Sequence, residues 1–259
     1  MTAADEPPFT PPSAGDPVIA ERRLRRRGER HVETHAAVGT GGWLRPFVLG
    51  AEDGIVSTAG LVLGVAAAGG GHTALLTAGS AGLVSGALSM AAGEYVSVAA
   101  QRDTERADIA LETWELEHRP EQELEELTNL YRERGLSPDL AHKVAVELTS
   151  VDALGTHLRE ELAIDERIIA KPWQAAWLSA LSFSVGAALP LATILLTPHS
   201  ARAGLTVVAT LLTLAIAGSI AARLGRSSVV GGMLRVTAGG SLAMAVTWAV
   251  GKLLGVGVA

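Results

Sequence analysis

The chain has no cysteine. Disulfides, thiolate zinc sites and thiol catalysis are therefore excluded, and any metal must be held by oxygen, nitrogen or methionine sulfur. Carboxylates are missing from the whole C-terminal part: beyond Lys171 there is no Asp or Glu. The first 45 residues hold no apolar run, so no cleavable signal peptide is expected. Enzyme signatures are absent as well, with no HExxH, no GxSxG, no Walker loop and no GxGxxG ahead of a strand. An intramembrane serine protease would need a histidine base inside a span, and no candidate span has one. The chain reads as a non-enzyme without an organic cofactor.

What is present is apolar and unevenly charged. Of 259 residues 48% are hydrophobic, more than a soluble domain of this size carries. Residues 100–171 hold 18 of the 27 Asp and Glu against nine Lys and Arg. This acidic island separates two apolar halves. Such a surface disfavours nucleic acid and favours cations.

Five segments are long enough to span a bilayer, which takes roughly 20 apolar residues. They run over about 46–68, 73–100, 173–196, 203–222 and 236–254, with Pro190 expected to kink the third. The reading is an all-α membrane protein: a Pro-rich and then basic tail over 1–45, spans 1 and 2 over 46–100, an acidic helical domain over 101–171, and spans 3 to 5 over 172–259. Six Arg within 21–30, and Arg223, Arg226 and Arg235 in the last linker, place the N-terminus, the island and that linker in the cytoplasm by the positive-inside rule. Trp173 and Trp177 sit where an interfacial aromatic belt would lie. Gly50/Gly54, Gly60/Gly64 and Gly82/Gly86 have the four-residue spacing that lets helices approach closely in lipid, although small residues are common in any membrane helix.

Within the spans only Glu52, Asp53 and Glu94 are acidic. A charge at mid-membrane costs at least about 2.5–3.5 kcal/mol, so the three ask for a reason. Snorkelling of Glu52 and Asp53 to water is one, and an ion path is the other. Met90 lies one helical turn before Glu94, and its soft thioether suits a transition metal. Taken alone, a methionine there is ordinary packing.

In the island, residues 101–118 lack Gly and, as a helix, would continue the second span. Glu105, Asp108, Glu112 and Glu115 then share one face with Gln101, Ser97, Glu94 and Met90. Like charges at this spacing repel, which favours a cation between them over a merely solvated face. Pro120 ends that helix. The next is expected over 121–134 with Gly135 as its cap, and another from Ser137-Pro138 to about Thr149. The last is expected over 151–169. Glu123 and Glu126 form an i,i+3 pair, and His157 and Glu161 an i,i+4 pair, as in carboxylate-rich metal sites of helical bundles. His118 and His142 read as ordinary surface residues.

Three segments carry a specific resemblance: LGAEDGIVSTAGLVLGV, SGALSMAAGEYVSVAAQRDTERA and PEQELEELTNLYRERGL. Over about residues 44–255 the chain resembles the vacuolar iron transporter family, which includes the yeast calcium-sensitive cross-complementer and nodulin-21-like proteins. The resemblance implies a homodimer in the lipid bilayer that exports Fe²⁺ from the cytoplasm in exchange for protons. Mn²⁺, Zn²⁺ and Co²⁺ are the alternative metals. The implied pore runs between the first two spans at the dimer axis, with Asp53 and Met90 as its aspartate and methionine, and Glu52 and Glu94 beside them. Glu112 and Glu115 match the first cytoplasmic glutamate pair, Glu123 and Glu126 the second, and Glu161 the glutamate of the last helix. The chain departs from the pattern at His157 and Leu158, where some members have a methionine pair, and at Glu94, where some have glycine. The tail over 1–45 is too short for the ferritin-like domain of some relatives. A bacterial member would work in the plasma membrane. The competing expectation is a membrane-anchored metal sensor or scaffold that transports nothing.

Overall fold

The structure, a computed structural model, describes residues 44–164 and 170–256. The expectations for the Pro-rich and Arg-rich tail and for residues 165–169 fall outside those residues, and the helix expected over 151–169 ends at Glu160, with Ala163 in the left-handed region at φ 54°. Among the described residues the chain is all-α, without a strand. In order the helices are α1 (Leu44–Ala67), α2 (His72–His118), α3 (Pro120–Glu133), α4 (Pro138–Glu160), α5 (Pro172–Leu196), α6 (Arg202–Leu224) and α7 (Val229–Val256). Five of these, α1, α2, α5, α6 and α7, are long and apolar enough to cross a membrane. The described residues divide into an apolar unit, 44–96 and again from Pro172, and an acidic unit from Ser97 to Lys171.

In the apolar unit α1 packs on α5, α6 and α7, and α6 packs on its two sequence neighbours. The core is Ala59, Val62, Leu63, Leu75, Ile194 and Met244. Its polarity is inverted relative to a soluble bundle. Thr58, Ser182, Thr206 and Thr210 are buried, while Trp177, Leu181, Leu212, Ile216 and Leu242 face outward. Outward leucine and inward threonine suit a hydrocarbon solvent, in which buried hydroxyls bond to helix backbone. Thr206 does so, donating to the Arg202 carbonyl at 2.7 Å.

The glycines are where helices touch. A Cβ on Gly186 would run into the Ala51 carbonyl, and one on Gly54 into the Phe183 carbonyl, so α1 and α5 meet backbone to backbone. Gly186→Ala is therefore expected to lower the thermal midpoint in detergent, because overpacking costs about 1–3 kcal/mol. Gly239→Ala, with open space at its Cβ, leaves that midpoint unlowered. Equal midpoints for the two variants would contradict this packing.

One expected boundary moves and another holds. The fifth span begins at Val229, not near 236, so Arg235 stands on α7 and not in a linker. Gly231 and Gly232 look like linker residues, yet Gly232 packs against the Gly218 carbonyl, and that contact keeps the turn helical. The helices expected to separate near residue 150 do part there, at a kink where Asp152 leaves the helical conformation, and α4 names the two together.

In the acidic unit α3 and α4 pack through Leu127, Tyr131, Ala141 and Ala145, with Leu124, Leu136, Val144 and Leu148 around them. The turn between the two helices needs a left-handed residue, and Gly135 supplies it at φ +98°. Ser137 takes the N-cap position with extended backbone, but its side chain makes no capping bond. Pro138 at the first helical position is the stronger start signal here. Helix α2 runs unbroken through Gly93, for 47 residues.

Candidate metal centre and ion path

In the acidic unit four side chains converge. Glu112 comes from α2, Glu123 from α3, His157 from α4, and Glu161 from the residue just past it. Each offers one ligand atom, and the four atoms lie within 4.8 Å of one another. Glu112 and His157 are fully buried and Glu123 almost so. His157 Nδ1 is 3.0 Å from Glu112 Oε1 and 3.5 Å from Glu161 Oε2. Among the described residues His157 Nε2 has no hydrogen-bond partner. Three carboxylates and an imidazole in a dry interior are expensive unless a positive charge joins them. Three oxygens and one nitrogen form a donor set for a borderline divalent ion.

The metal-free cluster meets that demand with protons. Burial, with the charges of Glu115, Glu112, Glu126 and Glu161, raises Glu123 to about 8. Burial alone would lower His157, but the close carboxylates of Glu112 and Glu161 outweigh it and raise the imidazole to about 10. Both shifts are upward, so at neutral pH each group holds a proton that a metal must displace. Affinity for a divalent ion should therefore rise with pH. The rise is up to about a hundredfold per pH unit below about 8, where two protons leave, and about tenfold per unit from there to about 10. Mn²⁺ titrations at pH 6, 7 and 8 check this. A pH-independent affinity would contradict it.

The other expected island residues lie outside the group of four. Glu115 is buried and, with half-buried Glu126, acts on Glu123 through its charge. Glu105 accepts a bond from Gln101 Nε2 at 2.8 Å, one helical turn back. Asp108 is half-buried on the same helix. His118 stacks on Trp114, away from the cluster.

The apolar unit has its own polar feature. A cavity of about 240 Å³ is lined by Asp53, Ser57 and Thr58 of α1, by Ser89 and Met90 of α2, and by Phe183 of α5. Gly82 and Gly86 also border it, because side chains there would meet Leu61 and the Phe183 ring. Asp53 is exposed in the single chain. Glu52 and Glu94 are half-buried and do not line this cavity.

A model of the VIT family matches residues 44–252, a stretch that takes in both units. The chain belongs to the VIT family. Relatives in the VIT family include a "Vacuolar iron transporter" of Acanthamoeba castellanii, 45% identical over 227 residues, which are 87% of this chain and 83% of that protein. The "Vacuolar iron transporter homolog 1" of Oryza sativa subsp. japonica is 39% identical over 249 residues, covering 96% and 88%. The "Vacuolar iron transporter homolog 2.1" of Arabidopsis thaliana is 36% identical over 214 residues, covering 82% of each chain. With five apolar helices whose leucines and tryptophans face outward, this VIT-family chain is an integral membrane protein.

The helix break near residue 150 was expected, but two contacts near the cluster were not foreseen from the sequence: the capping bond from Gly155 N–H to Asp152 and the hold of Arg134 on Glu160. An Asp three residues before a Gly inside a helical run is the signal that pointed to the first. Nothing local points to the second.

Proposed function

We propose that this VIT-family protein exports Fe²⁺, with Mn²⁺ as a second substrate, from the cytoplasm in exchange for protons. The observation that carries the reading is the buried Glu112–Glu123–His157–Glu161 cluster, whose donor set suits that class of ion. The names of the relatives supply the iron. In this reading the acidic unit lies in the cytoplasm and captures the ion. The apolar unit then passes it along Asp53 and Met90, an oxygen and a sulfur donor facing one cavity. Glu52 and Glu94 stand on the same two helices as proton carriers. The functional form is a homodimer. Asp53 is exposed in one chain, and a lone copy would present that carboxylate to lipid at a cost of about 2.5–3.5 kcal/mol. A second copy against α1 and α2 removes that exposure.

The second reading, a non-transporting sensor, draws on one fact: the four-residue cluster is complete within the acidic unit. Liposomes loaded with an iron-sensitive dye separate the two. The transporter reading expects Fe²⁺ uptake that accelerates when the lumen is made acidic. Metal binding without uptake would favour the sensor, and uptake indifferent to the proton gradient would remove the antiport.

A further inference from the structure

Two ligands of the buried cluster come from the end of α4, and that end is not a simple continuation of the helix before it. Asp152 interrupts α4 with φ −159° and ψ 84°. Its ψ is about 125° from the helical value, so residues after it present a different face from the one a straight helix would show. The helix resumes at once. Asp152 Oδ1 accepts the Gly155 N–H at 2.9 Å, which is the bond an N-cap makes to the third residue of a new helix. Position 155 suits glycine, because a Cβ there would run into the Asp152 carboxylate and push it off its cap. At the far end of the segment Arg134 reaches across from the end of α3. Its guanidinium pairs with the Glu160 carboxylate and donates to the Glu160 carbonyl at 3.1 Å. His157 lies on the short stretch held between these two contacts, and Glu161 follows directly after the second.

We infer that residues 153–161 form a separately pinned, ligand-bearing segment. Asp152 and Arg134 are its positioning residues, and they aim His157 and Glu161 at Glu112 and Glu123. The inference rests on the reading of the cluster as a metal centre. Neither positioning residue belongs to the four-residue ligand group. Asp152 works as a cap and not as a charge. Its pairing with Arg159, at 3.4 Å between two exposed side chains, is of the kind that contributes little.

The test is a Co²⁺ titration of the full-length protein in detergent, reading both the dissociation constant and the visible absorption of the bound ion. Asp152→Ala and Arg134→Ala should each weaken Co²⁺ by about tenfold and alter its spectrum, as expected for loss of a cap or an outer-shell partner. Asp152→Asn keeps the capping oxygen without the charge, and should stay within about threefold of wild type. The two pins are tested separately, so one variant failing to fold leaves the other to decide. Wild-type affinity and spectrum in Asp152→Ala or Arg134→Ala would overturn the inference. So would Asp152→Asn binding as weakly as Asp152→Ala. His157→Ala separates the layers. If it binds Co²⁺ like wild type, the metal reading of the cluster fails. If it loses Co²⁺ while both alanine variants at the pins do not, only the positioning role fails.

Discussion

Liposomes carrying Asp53→Ala are expected to take up Fe²⁺ no faster than liposomes without protein. Asp53 is the acidic side chain lining the cavity of the apolar unit, and the other donors there are hydroxyls and the Met90 thioether. An ion leaving water for a membrane interior gives up its hydration shell, and neutral hydroxyls replace little of that energy. Removing the one carboxylate should therefore stop flux and not merely slow it. Asp53→Asn, which keeps shape but not charge, should fail in the same way. Met90→Leu should be milder, since the oxygen donor remains. It should lower the initial rate for Fe²⁺ more than for Mn²⁺, because sulfur favours the softer ion. Initial rates at matched reconstitution and matched thermal stability are the measurement. Wild-type rates in Asp53→Ala would remove Asp53 from the path.

The second large effect is expected in binding. His157→Ala should weaken Fe²⁺ at the acidic cluster by at least the roughly 100-fold that loss of an outer-shell partner can already cause. His157 supplies the cluster's nitrogen, and its imidazole sits at 3.0 Å from Glu112 in a fully buried position. The variant also removes the imidazolium that sits beside Glu112 and Glu161 in the metal-free state. Ca²⁺ prefers oxygen ligands and tolerates irregular geometry, and its affinity should fall far less. The predicted signature is a narrowed preference for Fe²⁺ over Ca²⁺, read by isothermal titration under anaerobic conditions. A parallel loss of both ions would mean that His157 holds the fold and not the metal.

Much of this arrangement is visible in the sequence, for physical reasons. Helical periodicity puts Glu112 and Glu115 on one face, and Glu123 and Glu126 on another, because 100° per residue is fixed by the backbone. The apolar runs that form α1, α5 and α6 are set by the thickness of a bilayer. Gly135 and Pro138 mark the α3–α4 turn by their own backbone preferences. Which carboxylates meet across helices is a different matter. Spacing could not tell that Glu112, Glu123, His157 and Glu161 converge while Glu105 bonds to Gln101. Nor could it tell that Met90 lines a cavity which Glu94, one turn on, does not. Those outcomes depend on helix rotation, and the bend at Asp152 shows how one residue resets it. The early start of α7 has the same origin. Gly231 and Gly232 weaken a helix by propensity, and packing against Gly218 overrides them.

The central claim is that the buried cluster of the acidic unit binds the transported ion. Anomalous scattering at the iron edge, from crystals of the full chain soaked anaerobically in Fe²⁺, tests it most directly. The account predicts a peak bonded to His157 and to at least two of Glu112, Glu123 and Glu161. Iron bound only elsewhere, with those four side chains still paired to one another, would contradict it.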